Sequence, residues 1–223
     1  MDLEPIWLSL KLAAITTILL LFIGVPIAYW LSRRQTIFKL IAEALITMPL
    51  VLPPSVLGFY LLLAFSPNNG FGEWLHRHFD LQLVFSFKGL VVASIIYSLP
   101  FMVSPIKSAF AHLPKSMEEA SFVMGKSKVQ TFFKVLLPNI KPSIFTAVVL
   151  TFAHTLGEFG VVLMIGGNIP GETKVASIAI YDAVETMDYA SANYYALILF
   201  AITFLIVIGV FIINKNAVKS PFE

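Results

Sequence analysis

Residues 114–143 read PKSMEEASFVMGKSKVQTFFKVLLPNIKPS and form a short charged stretch between two apolar segments. Ser116 and Glu119 have the spacing of a helix capping box, so a short helix is predicted to begin there. Gly125 is predicted to end that helix, because glycine adopts the left-handed backbone of a helix C-terminus without strain. The stretch therefore predicts a short polar helix followed by a bend.

A second helix is predicted after the bend. Ser127 and Gln130 repeat the capping-box spacing, and the helix is expected to run toward Pro138. On the first helix, small or flexible side chains recur at i, i+3, i+4 and i+7, at Met117, Ala120, Ser121 and Met124. We interpret this face as a docking surface for a partner. The alternative is an ordinary interfacial helix between two membrane spans.

The composition predicts an all-α integral membrane protein. Hydrophobic residues make up 58% of the 223 residues, charged residues only 13%, and the mean hydropathy is +0.86. A soluble domain carries about 25% charged residues. Five apolar segments are close to the length of about 20 residues that crosses a bilayer. They lie at about 8–31, 40–65, 88–108, 142–165 and 194–213, with residues 1–7 before them, a polar loop at about 113–138 and a tail at 214–223.

Basic residues predict the orientation, because the cytoplasmic loops of membrane proteins are rich in Lys and Arg. The predicted cytoplasmic residues are Arg33, Arg34, Lys39, Lys107, Lys115, Lys126, Lys128, Lys134, Lys141, Lys215 and Lys219. The opposite side has only Lys11, Arg77, Lys88 and Lys174. The N-terminus is therefore predicted to lie outside and the C-terminus inside. The net charge of +2 follows from this topology, and no nucleic-acid-binding patch is evident.

Span two is predicted to be broken. Pro49, Pro53, Pro54 and Gly58 interrupt its apolar run, and each proline removes a backbone donor. A broken helix at membrane depth needs protein or a water-filled cavity around its free backbone groups. We expect these four residues to line a transport pathway. A merely kinked packing helix is the alternative.

Span four is predicted to carry an ionisable pair. His154 and Glu158 are spaced i and i+4, and ionisable residues inside a membrane span usually mark function. Two ligands without a third do not make a metal site. We expect Glu158 to hold the outer end of the pathway together through backbone or loop donors. A satisfied buried carboxylate without a gating role is the alternative.

The loop after span four, GGNIPGET at 166–173, is predicted to face outward, where it would contact a receptor or line the pathway mouth. Its candidate receptor-facing residues are Asn168, Pro170, Gly171, Glu172 and Thr173. The chain contains one Gly-Lys-Ser sequence, at 125–127. It is not a nucleotide-binding loop, because Ala120 stands where a glycine is required. No nucleotide site is therefore expected in this chain.

The stretch 114–143 resembles the EAA loop of ABC importer permeases, which docks on an ATPase subunit. The matching positions are Glu119, Ala120, Gly125, Leu137 and Pro138, and Ser121 and Val135 occupy two further positions of the motif. The family has a second Ala where Ser121 stands and usually Ile where Val135 stands, but the spacing is intact. The resemblance implies that these residues couple transport to ATP hydrolysis.

Three further stretches resemble bacterial molybdate permeases. They are MPLVLPPSVLGF at 48–59, LGEFG at 156–160 and GGNIPGET at 166–173. Sulfate and thiosulfate permeases share much of this pattern but are generally longer. The resemblance implies a type I ABC importer transmembrane domain that transports molybdate or its near-isostere tungstate, with sulfate or thiosulfate as the alternative cargo.

The same resemblance implies the partners. Two copies of the chain would pair in the bacterial cytoplasmic membrane, two ABC ATPase subunits would hold ATP and Mg²⁺, and an extracytoplasmic molybdate-binding protein would deliver the anion. The chain itself would hold no cofactor and would not be an enzyme. From the residues, two other classes stay open: a membrane enzyme built on His154 and Glu158, and a membrane assembly protein.

Overall fold

The protein is mainly helical in the computed structural model, which describes residues 2–34 and 36–217. The helices are α1 Glu4–Ser32, α2 Ile37–Thr47, α3 Pro54–Phe65, α4 Gly70–Phe79, α5 Phe87–His112, α6 Lys115–Val123, α7 Lys128–Thr131, α8 Leu137–Asn139, α9 Lys141–Leu156, α10 Gly160–Gly166, α11 Ala176–Glu185 and α12 Tyr189–Ala217. A 3₁₀ turn covers Met48–Leu50, and a π-helical turn covers Phe132–Leu136. Lys219 of the predicted cytoplasmic tail lies outside the described residues.

By length and composition, the described residues are compatible with three membrane spans, or with up to five if each of two bent helix pairs is one span. Three helices are long and apolar enough to cross a membrane alone, at Glu4–Ser32, Phe87–His112 and Tyr189–Gly209. Two bent pairs meet the same criteria: Ile37–Leu50 with Pro54–Phe65, bent by 112°, and Lys128–Asn139 with Lys141–Leu156, bent by 73°. The second pair does not coincide with the predicted span at 142–165, because Lys128–Asn139 falls in the polar loop predicted at about 113–138.

Span two is broken at its prolines, as predicted. α2 ends at Thr47, the 3₁₀ turn follows, and α3 begins at Pro54. Proline is accepted at the first position of a helix, because an N–H there would have no partner within the helix. The local chemistry of the prolines therefore determines where the second half of this span starts.

Span four is not the continuous helix that was predicted at 142–165. α9 stops at Leu156, and α10 starts only at Gly160. Glycine is a weak helix former. In addition, the hydroxyl of Ser177 donates a hydrogen bond of 2.6 Å to the backbone carbonyl of Glu158, inside the break. This contact gives the carbonyl a partner outside the helix, so the break is stabilised from a distant part of the chain.

α1 and α5 pack side by side and run in the same direction, because their ends share two apolar clusters. The N-end cluster joins the beginnings of both helices and includes Leu12 and Leu90. The C-end cluster joins their ends and includes Leu31 and Ile106. The N-end cluster also contains residues of α10, and the C-end cluster contains residues from the π-helical turn and α9. These clusters define two opposite ends of the molecule.

Two polar contacts hold α2 near the C-terminal ends of α1 and α5. Lys107 of α5 forms an ion pair with Glu43 of α2. Lys39 of α2 is buried, and its ammonium group donates a hydrogen bond to the backbone carbonyl of Trp30. A cation near a helix C-terminus satisfies carbonyl groups that the helix leaves unpaired. α2 is thus fixed to the same end of the molecule as the C-end cluster.

Candidate functional site

The coupling segment, defined here as residues 115–139, contains two helical parts joined by a tight turn. Gly125 has φ of +75°, in the left-handed region predicted for it. The hydroxyl of Ser127 accepts the backbone N–H of Gln130 at 3.3 Å, and the Gln130 side chain accepts the backbone N–H of Ser127 at 3.2 Å. The predicted bend and the predicted second capping box are therefore confirmed.

The first predicted capping box, at Ser116 and Glu119, is wrong. α6 begins at Lys115, directly after Pro114, and its N-terminus has no side-chain capping hydrogen bond. The fixed φ of proline favours a helix that starts immediately after it. Ser116 consequently lies inside the first turn, where its hydroxyl does not cap the helix.

The face that was predicted to dock a partner is only partly exposed. Ser121 is fully buried, and its hydroxyl lies 2.9 Å from the hydroxyl of Thr131, across the bend. The prediction for Ser121 as a surface residue is wrong because the bend folds this side of α6 onto the second helix. The most exposed apolar side chains of the segment are Val123, which is 89% exposed, Met124, which belongs to the predicted face, and Val129; Phe122 and Phe133 are exposed to a smaller extent. We call Val123, Met124 and Val129 the coupling surface.

An ion pair that the sequence reasoning missed ties the coupling segment to α1. The carboxylate of Glu118 accepts two hydrogen bonds from the guanidinium of Arg33, at 2.5 and 2.8 Å. The hydrogen bond with Glu118 raises the pKa of Arg33 above its ordinary value, so the guanidinium stays charged. Arg33 also donates to the hydroxyl of Tyr29. The neighbouring Glu119, which was singled out from the sequence, is exposed.

The end of the coupling segment is shaped by Pro138. The backbone N–H of Leu137 bonds to the carbonyl of Phe132, five residues earlier, which is a π-helical hydrogen bond. Pro138 follows and has no N–H to continue the ladder. The side-chain amide of Asn139 then donates to the carbonyl of Val135 at 2.6 Å. The matched positions at this end are partly buried, so they set the shape of the helix.

The breaks in spans two and four lie against each other. A Cβ atom added at Gly58 of α3 would lie 2.8 Å from Cβ of Met164 in α10. One added at Gly160 of α10 would lie 2.8 Å from Cβ of Pro54 in α3. Only glycine permits this close approach of the two helices. The two interrupted spans therefore form one packed unit.

An open groove of about 650 Å³ lies beside this unit. Pro54 and Glu158, which were predicted from two separate spans, line it together with Tyr97 and His154. The other predicted pathway residues lie elsewhere: Pro49 and Gly58 are buried, and Pro53 is exposed away from the groove lining.

Glu158 is only 5% exposed and lies in the break between α9 and α10. Its Oε2 accepts a hydrogen bond of 3.1 Å from the hydroxyl of Ser94 in α5. Its Oε1 has no hydrogen-bond partner within residues 2–34 and 36–217. We expected backbone or loop groups to donate to this carboxylate. The donor is instead a side chain, the Ser94 hydroxyl in span three. A buried carboxylate with one free oxygen is costly unless a further donor or proton reaches it.

His154 lines the groove together with Glu158. The two residues were expected on one face of a continuous helix, but α9 ends at Leu156, between them. Nδ1 of His154 lies 3.0 Å from the hydroxyl of Ser98, and its ring is stacked on Phe101 with centroids 3.9 Å apart. In the part of the chain that the structure describes, no three His, Cys, Asp or Glu side chains are grouped as metal ligands. The absence of a metal site stays a prediction.

The loop after span four is partly exposed. Asn168, Pro170, Gly171 and Glu172 are exposed, and the amide of Asn168 donates to the Asp182 carboxylate at 3.1 Å. A hydrogen bond from Lys174 lowers the pKa of Asp182 below its ordinary value, and the Asn168 amide contributes in the same direction.

Thr173 does not face outward, which corrects its predicted role in receptor contact. It is fully buried, and its hydroxyl donates to the carbonyl of Gly166 at 2.7 Å and accepts the N–H of Ile169 at 3.1 Å. These two bonds close the loop onto the end of α10. Thr173 is therefore a residue that shapes the loop.

Residues 12–220 match the family described as binding-protein-dependent transport system inner membrane component. The chain belongs to this family. As a family member it is a permease subunit of the cytoplasmic membrane, and its fold confirms the predicted class, a type I ABC importer transmembrane domain.

This permease is 46% identical over 211 residues to the molybdenum transport system permease protein of Azotobacter vinelandii, covering 94% of this chain and 93% of that protein. It is 33% identical over 199 residues to the sulfate transport system permease protein of Escherichia coli strain K12, covering 89% of this chain and 70% of that protein. Among solved structures, the MetNI methionine ABC transporter aligns with a TM-score of 0.74 at 18% identity, covering 97% of this chain and 96% of that chain.

Proposed function

We propose that this chain is the permease subunit of an ATP-driven importer for molybdate, and that tungstate is accepted as a near-isostere. The observation that carries the proposal is the 46% identity, over nearly the whole of both chains, to a molybdenum transport permease. The sulfate permease is less similar and is covered over only 70% of its length. That difference favours molybdate over sulfate as the cargo.

The proposed assembly contains two copies of this chain, two ABC ATPase subunits and an extracytoplasmic molybdate-binding receptor. Val123, Met124 and Val129 support the ATPase contact, because three exposed apolar side chains next to a bend form a compact surface that a groove would cover. ATP and Mg²⁺ belong to the ATPase subunits. In this proposal the chain itself holds neither a nucleotide nor a cofactor.

The proposed orientation places the coupling segment in the cytoplasm and the α1 N-terminus outside. Lys and Arg support it, because eleven of them fall on the cytoplasmic side of the five-span scheme and four on the other. The exposed part of the loop after span four then lies outside, where a receptor would dock. The groove that contains Glu158 belongs to the pathway.

The contacts suggest how movement at the coupling segment reaches the groove. The Glu118–Arg33 ion pair links α6 to the end of α1. α1 packs along α5, and α5 carries Ser94 and Ser98, which hold Glu158 and His154 at the groove. Closing of the ATPase pair would shift α6, and α1 and α5 would transmit the shift to the broken spans. Hydrolysis of ATP would then reset the pathway.

The proposed cargo is tested by uptake of labelled molybdate in cells whose own molybdate importer has been deleted. The cells express this chain with its ATPase and receptor. We expect uptake that unlabelled tungstate suppresses at equimolar concentration, whereas sulfate in tenfold excess does not. Suppression by sulfate at equimolar concentration, or labelled sulfate uptake without molybdate uptake, would contradict the proposed cargo.

A further inference from the structure

α4 is a short amphipathic helix that the transport proposal does not use. With about 100° between successive residues, Phe71, Trp74 and His78 fall within an arc of about 60°. Glu73 and Arg77 lie on the other side and form an ion pair of 2.5 Å along the helix. One side of α4 is therefore aromatic, and the other is charged.

The aromatic side of α4 is self-associated but uncovered. The rings of Phe71 and Trp74 are stacked with centroids 6.2 Å apart, and Trp74 contacts the ring of His78 at 5.5 Å. Nevertheless Phe71 is 53% exposed and Trp74 is 46% exposed. Leu75 is partly buried and packs against the N-end cluster, which fixes the helix to the body of the protein. Phe71 also contacts the ring of Phe65 in that cluster, with centroids 6.1 Å apart, so about half of the aromatic surface stays exposed while the helix itself is anchored.

The level of α4 along the spans follows from its neighbours. Its contact with the N-end cluster places it where α1 and α5 begin, at the end opposite to the coupling segment. α1 carries Trp7 near this end and Trp30 near the other, 23 residues apart in sequence and hence about 34 Å along the helix. The hydrocarbon core is about 30 Å thick, and tryptophan is enriched at both of its boundaries. Trp7 and α4 are therefore at the same membrane boundary.

We propose that α4 is an interfacial anchor that binds the phospholipids of the extracytoplasmic leaflet. Phe71 and Trp74 enter the boundary between headgroups and acyl chains, and Glu73 and Arg77 face the headgroups and water. Aromatic residues on one side and charges on the other are the pattern of a helix that lies in this boundary. The inference rests on the spans and on the orientation proposed above, and not on the identity of the cargo.

The anchor has a consequence for the bent span. α4 follows α3, the half of span two that begins at Pro54 and packs on α10 beside the groove. A helix held in the lipid boundary limits movement of the outer end of α3. The bend in span two can then change while the end of the span stays at a constant depth.

The proposal is tested by tryptophan fluorescence in vesicles of phosphatidylethanolamine and phosphatidylglycerol. Three single-tryptophan proteins are compared, each keeping Trp7, Trp30 or Trp74 and carrying Phe at the other two positions. Lipids with bromine near the headgroup should quench Trp74 at least twofold more than lipids with bromine near the bilayer centre. Trp7 should give the same ratio as Trp74, and added receptor should leave the quenching unchanged.

Two results would overturn the anchor. In the first, neither brominated lipid quenches the fluorescence of Trp74, whereas acrylamide in the aqueous phase quenches it freely. The other is protection of Trp74 only after the receptor is added, which would make α4 a receptor-docking helix. Uptake of molybdate by the same proteins is measured in parallel. A loss of uptake with unchanged lipid quenching would concern the transport proposal and not the anchor.

A second measurement remains decisive if a tryptophan variant fails to fold. The chain contains no cysteine, so Phe71→Cys and Glu73→Cys each accept one spin label without further substitution. The label at 71 should collide more with membrane-soluble oxygen, and the label at 73 more with a water-soluble nickel complex. Equal accessibility of both labels to the nickel complex would refute an interfacial position.

Discussion

The ion pair between Glu118 and Arg33 should be necessary for efficient coupling between ATP hydrolysis and transport. Replacing Glu118 with Gln, or Arg33 with Gln, removes the charge interaction between α6 and the end of α1. The side chains of Arg33 and Glu118 are 38% and 22% exposed. Surface pairs contribute about 0–1 kcal/mol, and a two-bond guanidinium–carboxylate contact lies at the strong end of that range. We therefore expect a coupling energy of about 1 kcal/mol, or about fivefold in an equilibrium constant.

The assay is a double-mutant cycle on purified protein and on proteoliposomes that contain the ATPase. Thermal unfolding should show that the double variant is less destabilised than the sum of the two single variants. Each single variant should move less molybdate per ATP hydrolysed. Glu73→Gln is the matched control, because it breaks an exposed ion pair at the opposite end of the molecule and should leave that ratio unchanged. Strict additivity in the cycle, with a normal transport ratio in both single variants, would refute the proposed linkage.

Three further predictions concern the bend, the topology and the groove. Gly125→Leu should abolish ATP-driven uptake while the protein stays in the membrane. The reason is that Leu at a φ of +75° costs about 1–2 kcal/mol of backbone strain and adds bulk beside the coupling surface. Gly125→Asn is the control, and wild-type uptake by the Leu variant would refute the assignment. A cysteine at Ser127 should be labelled only from the cytoplasm and one at Asn69 only from outside, and the reverse pattern would contradict the orientation. Glu158→Gln should change the transport rate or the basal ATPase activity. It should have a smaller effect on the concentration of receptor-bound oxyanion that gives half-maximal uptake. A large shift in oxyanion selectivity would contradict this prediction and would indicate a substrate-binding site in the groove.

Features that depend on local chemistry were predictable from the sequence. The break in span two follows from prolines that cannot donate hydrogen bonds, and α3 starts at Pro54 as helix rules require. The turn at Gly125 and the capping box at Ser127 need only a few neighbouring residues. Apolar segments long enough to cross a membrane are recognised from hydropathy over about 20 residues. Each of these features is decided within one short segment.

Features that depend on distant partners were not predictable in this way. Arg33 and Glu118 are 85 residues apart, and Ser94 and Glu158 are 64 residues apart. No spacing rule identifies such pairs from one sequence. The same reason explains the break in span four, where the hydroxyl of Ser177 binds a backbone carbonyl 19 residues earlier. In these cases tertiary packing overrides the continuous apolar pattern.

The burial of Ser121 and Thr173 shows a third limit. Ser121 was expected on the docking face of a helix and Thr173 in an outward-facing loop, yet both hydroxyls are buried and hydrogen-bonded. The hydroxyl of a polar residue near a turn is either exposed to solvent or hydrogen-bonded within the turn, and sequence pattern does not distinguish the two. The structure assigns these two residues to the turn.

ATP-driven accumulation of labelled molybdate in proteoliposomes tests the central claim most directly. The vesicles contain this chain and its ATPase, with ATP enclosed and the loaded receptor outside. The account predicts that molybdate accumulates above its external concentration and that this accumulation requires ATP and receptor. It also predicts that Met124→Glu, on the coupling surface, abolishes the accumulation although the protein stays in the membrane. Accumulation without the ATPase, or full accumulation by the Met124→Glu variant, would contradict it.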